Sequence, residues 1–143
     1  AYAVVQIGIN DLHPLGALAP QKALIMERLE HNILSIRDAL LERSDAVILT
    51  TVFPPSAVPL ARRLAWDPDT LQDIERVNAL IRHATDGRRA LLLDAHALLG
   101  EGGPLLAERY ADADFFLHVN SAAYQRLNAA LDELLSGHQP VRR

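Results

Sequence analysis

Two short runs hold the side chains best suited to chemistry. Gly8-Ile9-Asn10-Asp11 puts an amide and a carboxylate directly behind the apolar run Ala3-Val4-Val5-Gln6-Ile7, and in an open α/β sheet ligands bind at the carboxyl ends of the strands. Near the other end, Asp114-Phe115-Phe116-Leu117-His118-Val119-Asn120 supplies an acid and a base ahead of the last helical pattern. Acyl transfer through a hydroxyl nucleophile needs three things: an imidazole to take the proton, a carboxylate to fix its tautomer, and donors for the oxyanion. His118 is the candidate base and Asp114 its orienting acid. His118 lies two residues before Asn120, a good helix cap, and the positive end of a helix disfavours imidazolium and keeps the ring a neutral acceptor.

These groups need a scaffold, and the hydrophobic pattern predicts one. Tyr2 to Ile7 is nearly continuously apolar and stops at a glycine, as a strand buried on both faces does. Residues 10–20, with Pro14, Gly16 and Pro20, form a loop. Leu24, Ile25, Leu29, Ile33, Ile36 and Leu40 recur at spacings of three and four, a long amphipathic helix ending near Arg43. Residues 46–52 are a second buried strand rich in β-branched side chains. Pro54 and Pro55 cannot donate to a ladder, so residues 53–66 are a long loop at a strand's carboxyl end. Asp67-Pro68 starts a helix with Leu71, Ile74, Val77 and Ile81 inward. Residues 90–93 make a short third strand closed by Asp94, and a short helical piece is expected from Leu105 to Tyr110. The final helix begins at Asn120, burying Tyr124, Leu127, Leu131 and Leu134 before Gly137. Strands alternating with helices imply an α/β, doubly wound parallel sheet.

Composition narrows the function classes. A length of 143 residues fits one domain, 1–143. Half the residues are hydrophobic and 22% are charged, which favours a packed core over disorder. The net charge of -4 is spread along the chain with no basic stripe, which speaks against a nucleic-acid partner. The pairs Arg62-Arg63, Arg88-Arg89 and Arg142-Arg143 are expected to be solvated surface. The absence of cysteine excludes disulfides, thiol nucleophiles and cysteine zinc sites. No apolar run approaches the ~20 residues of a membrane span, and the compartment stays open. The chain starts at Ala1, which suggests either a removed leader or a sequence that begins partway through a longer product.

On GIND near the start and the acid-then-LHVN segment before a terminal helix, in that chain order, the sequence resembles the later part of an SGNH/GDSL-type serine hydrolase (esterase/lipase). The resemblance covers nearly the whole chain. It implies a flavodoxin-like sheet of about five strands, with the first two absent here. It implies a small-molecule carboxylic ester as substrate, a covalent acyl-enzyme, and no metal or organic cofactor. Asn10 matches the asparagine whose amide donates to the oxyanion, and Gly8 the glycine two places before it. The implied catalytic set is therefore His118, Asp114 and Asn10, with Asn10 and Gly8 forming the oxyanion hole. Asp11 is expected to hold the turn.

The sequence departs from that pattern in two places. The family spaces its acid and base Asp-x-x-His, whereas three residues separate Asp114 from His118. Phe115 stands at the strict position, and Asp112 is the substitute acid. The family also carries its serine in a Gly-Asp-Ser run that does not occur here. Ser35, Ser44, Ser56, Ser121 and Ser136 lack a glycine-flanked strand-to-helix elbow, Ser56 in the long loop being the least poor candidate. The nucleophile is then expected from outside this segment, and the first strand's free edge is expected to pair with a missing segment or another chain. The competing reading is a non-catalytic α/β binding module that keeps the hydrolase frame. Taken singly, Asn10-Asp11 is ordinary turn chemistry and His118 an ordinary cap-proximal histidine. His13, His31, His83, His96 and His138 are dispersed and expected to be surface or packing residues, and Trp66 could line an acyl pocket or simply pack.

Overall fold

A computed structural model describes residues 1–8, 12, 18–57, 69–112 and 118–138. Three parallel strands form one sheet in the order β1 (Tyr2–Val5), β2 (Ala46–Thr50), β3 (Ala90–Leu93). Tyr2 aligns with Ala46 and Val5 with Leu49, while Val47 aligns with Ala90 and Thr50 with Leu93. The helices are α1 (Lys22–Leu41), α2 (Thr70–His83), α3 (Ala95–Gly100) and α4 (Ser121–Gly137), with 3-10 turns at Ala19–Gln21 and Glu108–Tyr110. No helix among the described residues is long and apolar enough to cross a membrane.

Alternation along the strands sorts the core into layers. Val5, Val47 and Leu49 pack on one face against Met26, Leu29 and Ile33 of α1 and Ile74, Val77 and Ile81 of α2. Ala46, Ile48, Leu91 and Leu93 face the other way, against Leu98 of α3 and Ala130, Leu131, Leu134 and Leu135 of α4. Every residue of β2 is buried, as expected of a central parallel strand covered on both faces. The expectation that β1 is buried on both faces fails. Tyr2 and Val4 are exposed and only Val5 is fully buried, because the helices on that face cover β2 and β3 and stop short of β1.

Other differences are local. β1 ends at Val5 rather than Ile7, and β2 at Thr50 rather than Val52. In α1 the buried stripe runs through Met26, Leu29 and Ile33, while Leu24 and Ile36 are exposed. The first helical residue of α2 is Thr70, and Asp67-Pro68 lies outside the described residues. Asp69 flanks α2 without a side-chain capping bond, its carboxylate instead accepting from Lys22 at 3.4 Å. The helical piece expected at 105–110 is only the 3-10 turn, and α3 was not foreseen. Asp94 starts α3, accepting from the Ala97 amide, and Glu101 ends it in the left-handed conformation. Tyr124 is exposed on α4, and Ala123 and Leu127 are the residues buried there.

The arginine pairs also need revision. Arg89 is not a solvated charge: its guanidinium donates to the carbonyls of Leu41, Ser44 (2.9 Å) and Asp45 (3.3 Å), satisfying the orphan acceptors where α1 ends. Arg88 is exposed. Arg62, Arg63, Arg142, Arg143, His13 and Trp66 lie outside the described residues.

Candidate functional site

The first candidate segment follows the end of β1. Gly8 has φ +113°, a conformation open to glycine and strained for other residues. A Cβ there would come within 3.1 Å of Val52 Cγ2, with Leu29 and Val77 3.9 Å away. The position requires glycine on both counts. The Leu12 amide donates to the Gly8 carbonyl at 3.2 Å, and Leu12 is buried in the core, so the residues on either side of 9–11 are held. Asn10 and Asp11 themselves lie outside the described residues.

The wall behind Gly8 is held by a residue that the sequence reading missed. Asn78 of α2 is fully buried. Its Oδ1 accepts from the Val52 amide at 2.7 Å and its Nδ2 donates to the Val52 carbonyl at 3.2 Å. The side chain replaces the ladder partners that Val52 loses as the chain leaves β2. An asparagine inside a helical pattern gives no periodic signal of such a role.

Between the two sequence runs, the carboxyl ends of β2 and β3 are tied together. Asp94 accepts from Arg82 Nε at 2.8 Å and from the Thr51 hydroxyl at 3.1 Å, besides the Ala97 amide. Thr51 in turn accepts from the His96 amide at 2.9 Å. Burial pushes the Asp94 carboxyl up, but the Arg82 hydrogen bond, the Ala97 amide, the Arg82 charge and the Thr51 hydroxyl together hold it below its ordinary value. The His96 ring is half-buried, and burial is the main force lowering its pKa, with Glu75, Arg82 and Asp94 nearby.

The second candidate segment follows α3. Tyr110 is buried beside Leu99, Val119 and Leu127. Ala111 and Val119 then form an antiparallel bridge, and the Asp112 amide donates to the His118 carbonyl at 3.4 Å. Residues 111–112 and 118–119 thus meet through their backbones. His118 is an exposed residue two positions before the α4 cap. Asn120 accepts from the Ala123 amide at 3.1 Å, and its amide donates to the carbonyls of Arg109 (2.8 Å) and Ala111 (3.1 Å). Asp114 and Phe115 lie outside the described residues; Asp112 is half-buried.

Ser56 is buried, and its hydroxyl has no hydrogen-bond partner among the described residues. Of the other histidines, His31 pairs with Ser35 (3.3 Å), His83 with the Ala79 carbonyl (2.7 Å), and His138 with the Tyr2 hydroxyl and the Arg88 carbonyl. Among the described residues no group of three or more His, Asp or Glu is placed to hold a metal ion.

A parallel sheet with helices on both faces and candidate groups at its carboxyl end defines an SGNH-hydrolase-like α/β fold. The sequence profile of the GDSL-like Lipase/Acylhydrolase family matches residues 1–126, and the chain belongs to that family of ester-type hydrolases. Its fold is similar to a solved structure from Streptococcus pneumonia provisionally described as a platelet activating factor, with a TM-score of 0.71 at 16% sequence identity. The likeness covers 94% of this chain and 59% of that one, so the chain spans less than two thirds of that protein's length. No curated protein sequence matches it.

Proposed function

We propose that this chain carries the base, acid and oxyanion parts of a serine esterase site acting on small carboxylic esters. His118 takes the proton of an attacking serine hydroxyl and returns it to the leaving group. Asp114 holds the imidazole in one tautomer, and the Asn10 amide with the Gly8 N–H stabilises the oxyanion. The hydroxyl comes from outside residues 1–143, since no serine here follows a strand in the required elbow. The observation that supports this reading most is the extent of the family match, because residues 1–126 include both Gly8-x-Asn10 and His118 in that order.

The test is turnover of a simple aryl ester by a polypeptide extended upstream through a Gly-Asp-Ser strand, beside the chain that begins at Ala1. Only the longer polypeptide is expected to turn over and to label with a serine-directed phosphonate. Activity should vanish in His118→Ala and fall about 100–1000-fold in Asn10→Ala, the usual effect of removing one oxyanion donor. An inactive polypeptide that does contain the serine would favour the non-catalytic binding module, and labelling of the short chain would show that its nucleophile is already present.

A further inference from the structure

We propose that Asn120 is a positioning residue for the base: its side-chain amide ties the backbone beside His118 to the carbonyls of Arg109 and Ala111. The inference rests on the esterase reading for its catalytic meaning, though its geometry stands independently.

Asn120 does two separable things. Its Oδ1 accepts from the Ala123 amide, which caps α4. Its Nδ2 carries two hydrogens, and these go to the carbonyls of Arg109 and Ala111 at 2.8 and 3.1 Å. Capping uses only the oxygen. The two amide bonds reach back nine and eleven residues, to carbonyls that precede Asp112. The Asn120 backbone amide adds a bond to the Tyr110 carbonyl at 3.0 Å, and the Ala111–Val119 bridge lies between. Residues 109–112 and 118–120 are thus joined to each other, and the junction is anchored by buried Tyr110 and Val119.

The consequence for His118 follows from its place one bond beyond the bridge. Val119 pairs with Ala111 and the Asn120 amide holds the Ala111 and Arg109 carbonyls, so the backbone that carries His118 is fixed on its C-terminal side. An asparagine is required where serine, threonine or aspartate would cap equally well, because none of those offers two N–H donors.

The chain as it stands can be tested by NMR, with Asn120→Ser and Asn120→Asp compared with the parent. Both variants retain a capping oxygen, and the aspartate adds a favourable charge at the helix start, so both should fold. The expected result is increased backbone motion at Asp112 and His118 by nitrogen-15 relaxation. A displaced His118 ring signal should accompany it, while the amides of α4 beyond its first turn stay unchanged. In the serine-containing polypeptide the same substitutions should lower kcat about 10–100-fold with KM held, the effect expected of a misplaced catalytic group. Unchanged relaxation and ring signals in a folded Asn120→Ser protein would overturn the proposal. If His118→Ala proves as active as the parent while Asn120→Ser still loosens this backbone, the esterase assignment fails and the clamp remains.

Discussion

Replacing Asn78 probes the buried clamp directly. Asn78→Leu keeps a side chain of similar size and removes both hydrogen-bonding groups, leaving the Val52 N–H and C=O facing an apolar neighbour. Val52 is itself 3% exposed, so water does not reach its backbone without opening the core. Each orphaned buried group costs about 1–3 kcal/mol, which places the loss at about 2–6 kcal/mol. For a domain whose total stability is roughly 5–15 kcal/mol, that is a large fraction. Urea unfolding at neutral pH, followed by circular dichroism, reads it as a lowered midpoint with an unchanged slope. Asn78→Asp adds a control with the opposite pH sense. Its carboxylate still accepts from the Val52 amide but repels the Val52 carbonyl, and burial raises its pKa. Its folded form therefore binds a proton more tightly than its unfolded form, and its deficit relative to the parent should shrink as the pH falls. A leucine variant within 1 kcal/mol of the parent would refute the reasoning, since Val52 would then have other partners.

Four further outcomes are expected. Gly8→Ala should destabilise by about 1–3 kcal/mol through the positive φ, read as a lower Tm. His96 is harder to protonate in the folded state than its ordinary 6.5, so the unfolded chain binds more protons below that pH and stability should fall as pH drops through 6.5. Urea midpoints of His96→Gln should lack that step. Asp94→Ala should lose about 1–3 kcal/mol from the α3 cap and the half-exposed Arg82 pair; because the folded carboxyl titrates below its ordinary 3.8, this difference should persist at neutral pH and fade only below that value. Tyr124→Ser should change stability by no more than about 0.5 kcal/mol, as a surface substitution does.

The parallel order of the three strands and the cap at Asn120 were legible because each has a local cause. Apolar runs of strand length alternate with a helical period, and an asparagine precedes that period's last recurrence. What the sequence hid depends on tertiary partners. Met26 rather than Leu24 faces the sheet because the roll of α1 is set by what it packs on. β1 and β2 are similarly apolar in sequence, yet one is half-exposed and the other enclosed, since cover comes from α4, far away in the chain. Asn78 and Arg89 appear as a helix-interior polar residue and one half of a basic pair, and only the backbone groups opposite them show their work. For the candidate site, Gly8 and His118 are placed at a strand end and ahead of a cap, while Asn10 and Asp114 remain sequence-based assignments.

The register of the sheet has a consequence for how the molecule assembles. Residue 2 lies beside residue 46 and residue 47 beside residue 90, so every rung joins positions roughly forty apart, with no hairpin between neighbouring strands. Closing such loops costs entropy before any rung returns it, so the helices can fluctuate into place early while the sheet waits on two long-range encounters that share β2. Folding speed is therefore expected to depend on the pairing of β2. The same strand, hydrogen-bonded along both edges, should be the last to surrender its amide protons to exchange, at a free energy close to that of global unfolding.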